Sequence, residues 1–154
     1  MREIELLAPA KNLECGKAAI DHGADAVYIG AYRFGARANA GNSIDDITNL
    51  CKYAHQYKAK IYVTLNTIVY EDEIPYMRKL IRELCDAGVD AILVQDMAVA
   101  QMIKECGDRG PAIHASTQTD NRNAKKVQWL MEQGFSRGVL ARELSVKEIA
   151  SIHE

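Results

Sequence analysis

Polar side chains gather just past the ends of short apolar runs, and their types speak for binding before they speak for bond breaking. Arg33 and Arg37 follow the run at 26–29, and Arg142 with Glu143 follows the one at 138–140. Guanidinium groups collected at one end of a fold take an anion: a carboxylate, a phosphate or a nucleic-acid backbone. The alternative is that Arg142 merely pairs with Glu143 or Asp96. Asn66, Gln95 and Gln118 close three neighbouring runs, and each amide offers donors and an acceptor to a planar polar substrate. Bracing of their own loops is the other use for them. Asp96, His114 and Glu143 are the titratable groups at this end, and so the candidates for catalytic proton transfer. Asp96 is the carboxylate best placed to act as a base or to bind a metal. Ser116 lies two residues past His114, on the same face of an extended strand. That pair is no hydrolase signature, because the transfer needs a third orienting group and no GxSxG elbow is present. Ser116 is therefore assigned to substrate contact, and His114 equally well holds the site together through hydrogen bonds. HExxH is absent, and no metal ligand is assigned.

The elements that must position these groups are written in a repeated phrase. Residues 19–30, 84–96 and 130–143 each read as a helix end, a glycine turn and a short apolar strand. Glycine after a helix supplies the left-handed cap, and the apolar run after it suits a strand buried on both faces. Such units in series predict a parallel sheet with its chemistry at the strand C-terminal ends. Strands are expected at 4–7 (running out at 8–10), 26–29, 60–65, 91–94, 112–115 and 138–140. Helices are expected at 13–22, 43–57, 71–87, 97–106, 121–133 and from 146 onward. The long loop 30–42 between them carries Arg33 and Arg37. A doubly wound nucleotide fold would need GxGxxG or GxxxxGK[ST] after its first strand, where the chain instead reads Ala8-Pro9-Ala10-Lys11-Asn12. A (β/α)8 barrel of ~250 residues fits better. The expected fold is therefore α/β, an incomplete TIM-type barrel of about six β/α units in one domain over residues 1–154.

Composition narrows the function classes. The chain has 154 residues, 48% hydrophobic and 26% charged, with a net charge of −2. That balance argues against a module held to nucleic acid by bulk attraction, though not against a local basic site. No apolar run reaches the ~20 residues of a membrane span, and the N-terminus lacks a signal-peptide core. A cytoplasmic protein with no membrane partner is expected. Cys15, Cys51, Cys85 and Cys106 are spread over four expected helices with no CxxC pair, which speaks for core packing rather than a disulfide framework or a metal site.

Several stretches carry a family resemblance: Glu5-Leu6-Leu7-Ala8-Pro9-Ala10, Arg33-Phe34-Gly35-Ala36-Arg37, Tyr62-Val63-Thr64-Leu65-Asn66-Thr67, His114-Ala115-Ser116-Thr117-Gln118 and Val139-Leu140-Ala141-Arg142-Glu143. The chain resembles the collagenase-like peptidases, family thirty-two of those with unassigned mechanism, along nearly its whole length. The main reading the resemblance implies is a peptidase, since members are named as proteases and some are described as collagenases. The alternative it implies follows other members, tied to hydroxylation of ribosomal RNA, transfer RNA or a ubiquinone precursor with an iron–sulfur cluster and, for RNA, prephenate as hydroxyl source. The family's cysteine-rich segment, which looks like its cluster-binding part, is expected beyond Glu154, so no cofactor is assigned to this chain. The isolated chain is expected to be inactive, whether as part of a peptidase or of a hydroxylation enzyme. A non-catalytic binding module is the third reading. An anionic small molecule, a peptide or RNA is the expected partner, and a second copy or another chain is expected to cover the open barrel edges.

Overall fold

The computed structural model describes residues 4–32 and 41–153. Arg33 and Arg37, with most of the loop that carries them, lie outside these residues. Among the described residues six strands alternate with six α-helices: β1 (Leu7–Ala10), α1 (Leu13–Asp21), β2 (Ala26–Gly30), α2 (Ile44–Gln56), β3 (Lys60–Leu65), α3 (Ile74–Ala87), β4 (Ala91–Val94), α4 (Met97–Lys104), β5 (Ala112–Ala115), α5 (Ala124–Glu132), β6 (Phe135–Gly138) and α6 (Val146–His153). The strands pair in chain order and all in parallel, the arrangement the repeated phrase predicts.

Local chemistry sets the helix ends. Ser43 caps α2 by accepting from the Asp46 N–H while Asp46 reaches back to the Ser43 N–H, a reciprocal box. At the far end of α3, Gly88 adopts φ +81, where a Cβ would be strained; Gly23 and Gly134 do the same at the other two copies of the phrase.

Alternation along the strands divides the core into two layers. Val27, Ile29, Ile61, Val63, Leu65, Ile92, Val94, Ile113 and Ala115 point outward under the helices and form the larger cluster. Their neighbours on the inner face form a smaller one, in which Ala26, Tyr62, Ala91 and Leu93 meet Leu7, Tyr28 and Val139. Among the described residues no helix is long and apolar enough to cross a membrane.

Two strands differ from expectation. β1 lies three residues later than its expected core, because Ile4 and Leu6 are exposed and the Leu6 N–H is taken by the Asp25 carboxylate (2.7 Å). β6 lies earlier, at Phe135–Gly138 rather than 138–140. Its register with β5 slips between Ile113 and His114, so that Phe135 faces Ile113 while Arg137, not Ser136, faces His114. A bulge of this kind turns a side chain to the other face of the sheet. Here it brings Arg137 inward.

Candidate functional site

Leu65, Val94 and Ala115 stand side by side in the sheet and face outward. The next residues, Asn66, Gln95 and Ser116, therefore form an inward-facing row at the strand C-terminal ends. The structure brings these three predicted binding residues together. Ser116 is buried; its hydroxyl oxygen accepts from the Asn66 side-chain amide and from the Gln118 N–H, each at 3.3 Å. Gln95 is half-buried between them, and Gln118 is exposed on the turn that follows β5.

That turn is held by residues the sequence reading passed over. The Ser116 carbonyl accepts from the Thr119 hydroxyl (2.8 Å) and the Asn121 amide (3.0 Å). Asn121 is fully buried; it also donates to the Val139 carbonyl (2.8 Å) and accepts from the Thr119 hydroxyl (2.7 Å). It thereby ties the turn after β5 to the chain leaving β6. The only sequence signal was an asparagine just past a polar strand end, which many loops share.

The titratable candidates are spread out. Asp96 caps α4 through the Ala98 N–H (2.8 Å), and its other oxygen accepts from the Val69 N–H (3.1 Å), bracing the loop after β3. Glu143 is exposed and faces Arg122 at 3.7 Å; Arg122 is also paired with Asp120. Arg122 is thus matched by two carboxylates. Arg142 is exposed and makes no ion pair among the described residues.

His114 sits inside β5 rather than at its end, one layer below the amide row. It is buried, and its Nδ1 has no hydrogen-bond partner, contrary to the expectation of a hydrogen-bonded histidine. The ring meets Tyr62 edge-on at 4.8 Å. Burial first, and the Arg137 charge second, push its pKa down to about 4, so the imidazole is neutral at pH 7.

Below it lies a charged group that spans the sheet from one edge to the other. Arg137 of β6 pairs with Glu5, just before β1, at 2.5 Å, and lies 5.6 Å over the Tyr62 ring. The Tyr62 hydroxyl donates to Glu5 at 2.8 Å. Arg137 holds the Glu5 carboxyl below its usual range, while burial, then Glu5, pushes the Tyr62 hydroxyl up to about 12.

Among the described residues no group of three or more His, Cys, Asp or Glu side chains could hold a metal ion. Cys15, Cys51 and Cys85 lie on the helices and Cys106 just past α4, all in the outer layer. This donor set does not fit an iron–sulfur cluster.

The profile of peptidase family U32 matches residues 11–154. A 23S rRNA 5-hydroxycytidine synthase of Escherichia coli is 49% identical over 98% of this chain and 22% of its own length. A tRNA hydroxylation protein of Bacillus subtilis is 42% identical over 97% of this chain and 36% of its own. A collagenase of Porphyromonas gingivalis is 32% identical over the whole chain and 37% of its own length. The chain thus spans between about a fifth and two fifths of these relatives. In structure it is similar to a solved U32 peptidase (12% identical, TM-score 0.75, 99% of this chain and 66% of that one). An aldolase is also similar (14% identical, TM-score 0.66, 90% of this chain and 68% of that one). Both likenesses speak for the fold alone.

Proposed function

The chain belongs to peptidase family U32, and from that premise we propose that it is the barrel part of a protein that hydroxylates an RNA base. The observation that carries this reading is the 49% identity to a relative named for RNA hydroxylation, against 32% to the one named collagenase. The rim supports it. Asn66 and Gln95 offer amide donors and acceptors side by side, the chemistry that reads the edge of a base. Exposed Arg142 would take a phosphate of the RNA or a carboxylate of a hydroxyl donor such as prephenate. A serine-peptidase reading has less support, because the Ser116 hydroxyl lies against Asn66 and the Gln118 N–H while His114 Nδ1 has no partner. Asp96 positions α4 in this scheme, and His114, neutral at pH 7, lies buried one layer beneath the rim. Cluster binding is assigned to the remainder of a full-length protein, not to these residues. The sheet edges at β1 and β6 are left for a second copy, a partner chain or further strands.

Nucleosides digested from ribosomal and transfer RNA test this in the source organism. Deleting the gene should remove a nucleoside one oxygen heavier than its parent. The full-length gene should restore it, and the same gene carrying Asn66→Ala with Gln95→Ala should not. Unchanged RNA in the deletion strain, with gelatin cleaved by the purified full-length protein, would return the family's peptidase label to this chain.

A further inference from the structure

Two of the four cysteines have come together on the outer layer, far from the rim. Cys85 lies near the end of α3 and Cys106 two residues past α4. Both are half-buried, and their sulfurs are 2.9 Å apart, less than about 1 Å beyond the bond length of a disulfide. Cys15 is exposed and Cys51 is buried on other helices, and both are free. Cys106 comes 21 positions after Cys85, so sequence proximity does not force the contact.

Cys106 also opens into a cleft between α3 and α4, lined by Arg78, Ile81, Arg82, Met102 and Glu105. Arg78 is paired with Glu105, while Arg82 is exposed and makes no ion pair among the described residues. The cleft therefore presents an unmatched positive charge beside a sulfur.

We propose that Cys85 and Cys106 are a reversible dithiol–disulfide pair that staples α3 to the turn after α4, oxidised by an anionic small-molecule disulfide bound at Arg82. The Cys85 S–H donates to the Cys106 sulfur, which leaves Cys106 as the nucleophile. Burial, then Cys106, pushes the Cys85 thiol up to about 12, so it holds its proton through the first exchange. The Cys106 thiolate attacks one sulfur of the small disulfide; one thiolate leaves and takes up the proton that Cys106 gave up. Cys85 then attacks the Cys106 sulfur of the mixed disulfide, and its proton goes to the second leaving thiolate. Two protein thiols are oxidised, one small disulfide is reduced to two thiols, and excess small thiol reverses the exchange. The staple closes the loop from Cys85 to Cys106, which holds β4 and α4, so it stabilises the strand that carries Gln95.

The purified full-length protein, equilibrated with glutathione disulfide and glutathione at set ratios and then alkylated, tests this. Trypsin cuts between Lys104 and Glu105, so the staple should appear as fragments 83–104 and 105–109 joined by a bond that dithiothreitol breaks. Cys85→Ser should stop at the Cys106–glutathione mixed disulfide. Arg82→Gln should slow the reaction with glutathione disulfide several-fold and leave that with neutral hydroxyethyl disulfide unchanged. Both thiols fully alkylated at every ratio, or an Arg82→Gln rate equal to that of the unaltered protein, overturns the proposal.

Discussion

The rim and the floor of this barrel lie on the same face of the same strands, yet they handle polarity in opposite ways. At the rim a neutral set is bonded together: Asn66, Ser116, Thr119 and Asn121 bond to one another and to backbone. On the floor, Glu5 and Arg137 compensate each other across the sheet, and the neutral His114 is packed above them without a partner for Nδ1. A buried neutral polar group is stable when it is hydrogen-bonded, and a charge when it is also paired. The rim is thus braced by neutral hydrogen bonds, and the floor by paired charges.

The largest test removes the rim's anchor. Asn121→Leu deletes three hydrogen bonds and leaves the part-buried Val139 carbonyl without its side-chain donor, so urea unfolding should show a loss of about 2–4 kcal/mol. A loss under ~0.5 kcal/mol would mean that the turn after β5 does not depend on it.

The floor is sensitive to pH instead. His114 has a folded pKa below its unfolded value, so between those values the unfolded chain binds more protons and stability rises with pH. Falling from pH 6.5 to about 4, the protein should lose up to about 3 kcal/mol through this one group. His114→Phe keeps an aromatic edge against Tyr62 and should flatten the curve in that window, read by thermal melts across pH. Glu5 acts lower: its depressed folded pKa stabilises the fold above its unfolded value, and that contribution is lost as pH falls through the folded one.

A smaller effect should follow from Glu5→Gln. The ion pair it breaks is partly solvated, at 40% and 23% side-chain exposure, so the loss should be about 1 kcal/mol or less. The sharper readout is Tyr62, whose ionisation should move down from about 12 when followed by absorbance, without reaching an ordinary tyrosine value, because burial is the larger cause of its shift.

Where the sequence reading succeeded and where it slipped have one explanation. Periodicity identifies a strand whose two faces are both apolar, so β2, β3, β4 and β5 were legible. β6 was misplaced because Ser136 and Arg137 make its middle polar. Only the bulge opposite His114 explains why a charged residue belongs there, and a bulge is a property of two strands. The amide row was legible from strand ends alone, since a parallel sheet aligns them. Asn121 was not, because its partners lie on two different segments that only the fold brings together.

The amino-acid order by itself determined the alternation of helices and strands, their parallel sense and the end of the sheet where polar groups collect. Each of those follows from contacts within about a dozen residues: a glycine cap, a capping serine, an apolar run. The tertiary structure alone decided that Glu5 meets Arg137 from 132 positions away and that Cys85 touches Cys106. It also decided that His114 lies beneath the rim with Nδ1 unbonded. Those depend on how far the sheet curls and where one strand bulges, and no local pattern encodes the distance between groups that only the packed barrel brings into reach.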